Sequence, residues 1–354
     1  MNNILITGGA GFIGSELVRY LIKKKFNIIN LDKLTYSGNL NNLTEVSSNK
    51  KYRFFKVDIS NRLEVFKIIK KYKPIYIFNL AAETHVDRSI DNPDNFIKTN
   101  ILGTYILLEN IRKYWNSLPL SMRNNKFRFI HISTDEVYGD LKNSKKLFTE
   151  KTSYDPSSPY SSSKASSDHL VNAWHRTYGI PTIITNCSNN YGPYQFPEKL
   201  IPLMILNALE NRKLPVYGSG NQIRDWLHVN DHVRALWLIA RKGRVGETYN
   251  IGGGNQIKNI DVVKKICNYL DSIKKIKNHQ NSYNRLISYV KDRPGHDTRY
   301  GINSLKLKTH LNWKPLYNFN KGLKETVMWY LKNKIWCKTI LKKNSIHKKR
   351  LGII

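Results

Sequence analysis

Tyr160 and Lys164 stand four residues apart in YSSSK. On a helix that spacing sets both side chains on one face, one turn apart. An ammonium beside a phenol favours the phenolate and lowers a pKa that is ordinarily about 10. Such a tyrosine can take a hydroxyl proton while hydride leaves the same carbon. Chance alone supplies one such motif in a chain with 21 tyrosines; its place between a fifth and a sixth strand makes it specific. The partner hydroxyl is Thr134, at the carboxyl end of the fifth strand, where open α/β sheets hold ligands. Asp135 and Glu136 follow in HISTDEVYGDL. They read in two ways: loop carboxylates capping the next turn, or an acid and a base for steps that hydride transfer alone does not need.

A second signature, TGGAGFIG, closes the first strand and opens the first helix, with Gly8, Gly11 and Gly14 at three-residue spacing. A dinucleotide site needs a tight turn, close backbone approach to a pyrophosphate, and tight helix–strand packing there, with free N–H groups at the helix start. Asp32 ends the second strand 18 residues after Gly14. A carboxylate there accepts hydrogen bonds from a ribose and repels a 2′-phosphate, favouring NAD over NADP, a preference that neighbouring Lys33 softens.

These residues require a particular scaffold. Asn3–Thr7, Ile28–Leu31, Tyr52–Val57, Ile75–Leu80 and Phe127–Ser133 read as strands; Ile13–Lys24, Asn61–Tyr72 and Asn95–Tyr114 read as helices. That alternation predicts an α/β fold, a Rossmann-type doubly wound parallel sheet. Thr152–Ser167 resembles a serine-rich linker in composition, but Pro156 and Pro159 end a loop and Tyr160–Tyr178 has helical spacing. It is read as the active-site helix, its serines packing small against the sheet or facing a ligand. The expected division is residues 1–186 as the NAD-binding domain, 187–333 mainly as a smaller C-terminal substrate-binding lobe with segments returning to the core, and 334–354 as a basic tail.

Composition narrows the class. The 354 residues are 40% hydrophobic, with 58 Lys+Arg against 26 Asp+Glu and a formal net charge of +32. No run approaches the roughly 18 apolar residues of a membrane span, and MNNILITGG lacks the order of a signal peptide. Cys187, Cys267 and Cys337 lie too far apart for a disulfide framework or zinc motif, so a reducing, cytoplasmic setting is expected. No H-E-x-x-H occurs, and no metal is expected. The positive excess is spread along the chain without a nucleic-acid-binding motif, so nucleic acid is not the expected partner. Only Lys332–Ile354 concentrates it, with eight Lys/Arg and no acidic residue; such a run is expected to be a solvated terminus.

The glycine spacing, G-x-x-G-x-x-G, resembles that of the extended short-chain dehydrogenase/reductase superfamily. The resemblance assigns Asp58 and Ile59 to the adenine side and Leu80, Ala81 and Ala82 to the nicotinamide ribose. It makes Asn100 a structural asparagine, and adds Phe12, Ile13, Thr35, Thr84, Thr99 and Asn190, with Lys33, Tyr160 and Lys164, to the cofactor contacts. TDEVYGDL, YSSSKASSDHLV, TNCSNNYGPYQFPEKLIPL, QIRDWLHVNDH and DRPGHDTRY are similar to the dTDP-glucose 4,6-dehydratase family, over roughly residues 1 to 333. That family's chemistry implies C4 oxidation by NAD with Tyr160, Lys164 and Thr134, C5 deprotonation by Glu136, loss of the C6 hydroxyl as water with Asp135 as acid, and hydride return to C6.

NAD then stays bound through turnover. Arg224 and Arg293, with Lys199, are implied at the substrate diphosphate, where the planar guanidinium bonds phosphate oxygens in pairs. His85, Arg88, Thr134, Asn189, Glu198, Tyr217, Asn259 and His296 are carried over as further substrate contacts. A homodimer is implied, with Asn95–Tyr114 and Tyr160–Tyr178 forming a four-helix interface. The rival readings are a UDP-glucose dehydratase, a 4-epimerase (which has no use for Asp135 and Glu136), and a non-catalytic NAD-binding protein.

Overall fold

Short apolar runs between turns become strands because a sheet covered on both faces buries every side chain. The computed structural model describes residues 3–125, 127–274 and 281–344. Six strands come first: β1 (Asn3–Thr7), β2 (Asn27–Asp32), β3 (Tyr52–Lys56), β4 (Tyr76–Asn79), β5 (Arg128–Thr134) and β6 (Thr182–Cys187). Shorter ones follow: β7 (Asn189–Tyr191), β8 (Leu214–Tyr217), β9 (Ile223–His228), β10 (Thr248–Ile251), β11 (Gln256–Lys258) and β12 (Ile287–Val290). The main sheet has seven strands in the order β3-β2-β1-β4-β5-β6-β10, all parallel. The strand order reverses between β1 and β4, at whose carboxyl ends doubly wound sheets take ligands.

After β6 the chain builds a second lobe on two small sheets, β11-β9-β7 and β12-β8. Its core packs helices Leu200–Leu209, Asn259–Ile273 and Phe319–Lys332 around Trp226, Ile205 and Val263. β10 and helix Val229–Lys242 return to the main sheet, where Trp237 packs against Phe26 and Tyr76. No described helix is long and apolar enough to cross a membrane.

Two expectations change. Asn95–Tyr114 is not one regular helix: Ile97–Gly103 widens into a π-helical segment before the α-helix Thr104–Asn116. The widened turn serves Asn100, whose side chain accepts from Glu83 N–H at 2.9 Å and donates to Glu83 O at 3.0 Å and Ser163 Oγ at 2.8 Å. Such insertions gather near functional sites.

The basic tail is also not a solvated terminus over its first part. Lys334–Asn344 is a helix that buries Trp336, Cys337 and Ile340, because these apolar residues recur on one face between lysines whose stems can lie along the surface. Residues 345–354 lie outside the described residues. Trp336 packs on Trp329 and Tyr194, and its Nε1–H donates to Asn42 Oδ1 at 2.9 Å. Asn42 in turn donates to Ala10 O at 3.0 Å, inside the glycine loop. Trp336→Ala should therefore lower folding stability by about 3–5 kcal/mol, the usual cost of deleting a buried large aromatic. Thermal unfolding would show it; an unchanged Tm would mean the helix does not dock.

Candidate active site

The glycine loop leaves room only for backbone. Gly8 has φ +70°, and a Cβ there would stand 2.7 Å from Ala81 N; a Cβ at Gly14 would stand 2.2 Å from Gly8 O. Gly11 caps helix Phe12–Lys23 with no side-chain hydrogen bond, so the first-turn N–H groups remain available to a ligand. The loop borders a cleft of about 270 Å³, near the lower end of the roughly 300–1,000 Å³ of a typical small-molecule pocket. Every residue expected to hold a dinucleotide, from Gly8 to Asn190, lines it.

Asp32 accepts Ala10 N–H at 2.9 Å and Leu34 N–H at 2.8 Å. Burial raises its pKa and these bonds oppose the rise. Lys33, expected to soften a preference for NAD set by Asp32, has a partner of its own. Its ammonium pairs with Asp58 at 3.0 Å, in the loop after β3.

The opposite wall holds the reactive groups. β5 ends at Thr134, and Asp135–Tyr138 forms a 3-10 turn. Thr134 itself caps that turn, its Oγ1 accepting from Glu136 N–H at 3.2 Å. The carboxylates are thereby released from capping. Asp135 is 1% exposed, and its Oδ2 finds no hydrogen-bond partner among the described residues. Burial pushes its pKa well up, and Glu136 and Asp225 add to the rise. Glu136, partly exposed to the cleft, is raised by burial and drawn back by Arg293, Arg224 and Lys199.

Helix Pro159–Tyr178 starts with a capping box between Ser158 and Ser161 and with proline in its first turn. The serine run thus has definite uses: Ser161 completes the capping box by accepting from Ser158 N–H, Ser163 meets Asn100, and Ser167 meets His131. Tyr160 and Lys164 do share a face, but the ammonium is not on the phenol. Lys164 donates to Ile132 O at 2.8 Å. Burial pushes the Tyr160 pKa up, as do Glu136 and Cys187, while a hydrogen bond with Thr134 lowers it. The expected lowering by Lys164 does not appear: the phenol is held above its ordinary range, and Thr134 rather than Lys164 opposes the rise. Burial pushes Lys164 down, and Asp168 opposes this.

Asn189, Glu198 and Lys199 reach the cleft from the second lobe, and Lys199 donates to Thr84 O at 2.8 Å. Other residues expected on the substrate gather outside that wall. Arg88 bonds Glu198 at 3.0 Å, with His85 Nε2 at 3.9 Å from the same carboxylate. Arg293 and Tyr217 both bond Asp87, each at 2.6 Å. His296 pairs with Asp292 at 2.6 Å, and Arg224 donates to Asp297 O at 2.9 Å while lying over the Tyr300 ring. Asn259 opens helix Asn259–Ile273, its N–H on Gln222 O.

Sequence reasoning missed Asp87, which anchors Arg293 from 206 residues away. Its only signal was its place between His85 and Arg88. Cys187 was missed too: it pairs in register with Thr134 and lines the cleft, its thiol pushed up to about 12 by burial.

A model of the GDP-mannose 4,6 dehydratase family matches residues 5–326. A curated relative from Neisseria meningitidis serogroup B, named dTDP-glucose 4,6-dehydratase, is 57% identical over 354 residues, 99% of each chain. A dTDP-glucose 4,6-dehydratase from Bacillus anthracis, solved in complex with NAD, is 47% identical with a TM-score of 0.84, covering 96% of this chain and 100% of its own. One from Streptomyces venezuelae, solved with NAD and TYD bound, is 39% identical with a TM-score of 0.87, covering 96% and 99%.

Burial alone would raise the Asp87 pKa, but Arg293, His85 and Tyr217 outweigh it and hold it below the usual carboxylate range. Its stabilising contribution is thus complete above that range and lost as pH falls through the lowered value. Asp87→Ala should cost about 3–5 kcal/mol at neutral pH by stranding buried Arg293, and the gap from wild type should close in acid. Urea unfolding at both pH values measures it; a pH-independent gap would contradict the pairing.

Proposed function

The chain belongs to the dTDP-glucose 4,6-dehydratase family, and from that premise we propose that it converts dTDP-glucose to dTDP-4-keto-6-deoxyglucose and water with NAD as its resident cofactor. One observation carries the reading. Asp135 and Glu136, released from capping, face the same cleft as Tyr160, Lys164 and the glycine loop. A simple dehydrogenase needs no such carboxylate pair.

The cradle fits NAD: a side chain at Gly8 or Gly14 would collide with backbone, and the helix start beside them is uncapped. Gly8, Gly11, Phe12, Ile13 and Gly14 would hold the pyrophosphate, Asp32 a ribose, Asp58 and Ile59 the adenine side, and Leu80–Ala82 with Lys164 the nicotinamide end. Bound NAD supplies the acceptor for the sugar C4 hydride and the donor that returns it to C6.

The chain's own residues do the proton work. Tyr160 takes the C4 hydroxyl proton, with Thr134 hydrogen-bonded to its phenol. A ketone at C4 acidifies the C5 proton, and Glu136 removes it. Asp135, its pKa pushed well up by burial and by Glu136, donates to the C6 hydroxyl as it leaves as water. Glu136 then returns a proton to C5. No net oxidation results, and the groups must stand ready around a sugar that turns little. Arg224, Arg293 and Lys199 offset the diphosphate charge, and their pull on Glu136 keeps a basic form available.

The setting follows the same reading. A homodimer through Asn95–Tyr114 and Tyr160–Tyr178 is supported by Ile97, Leu102 and Tyr178, all at least 40% exposed. A cytoplasmic setting fits three free, buried cysteines. The product would be an activated deoxysugar precursor for surface polysaccharide. Purified protein given dTDP-glucose without added NAD should form the 4-keto-6-deoxy product, with UDP-glucose a poor substitute. Glu136→Gln should reduce turnover roughly 10²–10⁴-fold, as loss of a general base does, and abolish solvent exchange at C5. Inactivity of wild type even with NAD supplied would favour a non-catalytic dinucleotide-binding protein, and faster turnover of UDP-glucose would move the substrate.

A further inference from the structure

A cofactor that is regenerated in every turnover must also be held between turnovers, a requirement that rests on the function proposed above. The cleft that would hold it is bordered by the glycine loop and by Asn189, Asn190, Gln195 and Phe196 from the chain after β6. Neither Asn42 nor the C-terminal helix Lys334–Asn344 lines that cleft. Both borders are nevertheless tied to them.

We propose that Trp336 and Asn42 are positioning residues for NAD retention, through which the C-terminal helix latches the glycine loop. Asn42 uses both ends of its side chain and both of its backbone groups. Its Nδ2–H donates to Ala10 O at 3.0 Å, and its Oδ1 accepts from Trp336 Nε1–H at 2.9 Å. Its N–H donates to Asn39 O at 3.0 Å, and its carbonyl accepts from the Arg19 guanidinium. Asn39 N–H donates in turn to the same Ala10 O at 3.0 Å. Ala10 N–H is held by Asp32 at 2.9 Å, so residue 10 joins the latch to the carboxylate expected on the ribose.

The other border is fastened at the same place. Tyr330, whose ring lies 6.2 Å from that of Trp336, donates its hydroxyl to Gln195 O at 2.6 Å. Gln195 Nε2–H donates to Asn190 O at 2.8 Å. Tyr194 joins the two ties: its ring packs on Trp329 and Trp336, and the Arg19 guanidinium lies 4.3 Å over it. Packing alone does not ask for this polar centre. Asn42 and Trp336 are both buried, where an apolar pair would serve a merely hydrophobic contact. A buried polar network whose members are satisfied instead rigidifies one arrangement.

Trp336→Phe keeps a buried ring and removes its N–H; Asn42→Asp keeps the acceptor and removes the donor to Ala10. Ile340→Val, on the same helix, trims packing and leaves both bonds in place. Each full-length protein is loaded with isotopically labelled NAD and chased with unlabelled NAD, and retained label is followed with time. Thermal unfolding is measured alongside. The latch predicts release roughly 10-fold faster in Trp336→Phe and Asn42→Asp, the scale of one buried group left unpaired. Release from Ile340→Val should stay close to wild type. Saturating NAD should return the kcat of the two faster-releasing variants to near wild type. Asn42→Asp decides alone if Trp336→Phe does not fold. Wild-type release rates in the folded variants would overturn the latch alone, as would acceleration that merely follows the loss of Tm across all three. A wild type that neither carries nor takes up NAD would overturn the functional reading, and the latch with it.

Discussion

Two carboxyl groups stand side by side at the end of one strand, and burial together with its neighbour Glu136 pushes the pKa of Asp135 well up. Everything reactive in this molecule depends on that constraint. Asp135 is enclosed by β5 and the second lobe, with Glu136 beside it and Asp225 near. Glu136 faces the cleft, under the pull of Arg293, Arg224 and Lys199. Burial raises both groups, but only Glu136 has three cations opposing the rise, so the two environments differ in the direction the proposed acid and base roles need. Assignments of acid and base commonly arise this way, from environments that separate two like groups.

The constraint works only if the scaffold is rigid. β1 and β4 are bound side by side, and Thr7 at the end of β1 bonds Asn79 and Ala81 at the end of β4. Across the switch point the glycine loop is held at Ala10, by Asp32 from the sheet and by Asn42 from the following turn. Asn42 is itself held by Trp336, near the chain's far end. The second lobe thus braces the glycine loop as well as lining the cleft.

Much of this was legible in the amino-acid order, for physical reasons. Buried parallel strands announce themselves as short apolar runs; β1 matched its expected limits, and the other four strands did so within a residue or two. TGGAGFIG and the Tyr160–Lys164 spacing are local patterns, and local geometry places them. What escaped was set by long-range contact. The Asp87–Arg293 pair joins two lobes, and the partner of Lys33 comes from the loop after β3. Lys164 turns to a β5 carbonyl because it is buried, which spacing along a helix cannot reveal. The tail misled through its charge: eight basic residues obscured the Trp336, Cys337 and Ile340 stripe that docks it.

The protonation of Asp135 at neutral pH is the claim on which the chemistry turns. The most direct measurement is the infrared difference spectrum between wild type and Asp135→Asn, recorded at neutral pH. A protonated-carboxyl C=O band that is present in wild type and lost in the variant is the predicted result. A difference spectrum that shows only the loss of an ionised carboxylate would contradict it, and would leave the elimination without its acid.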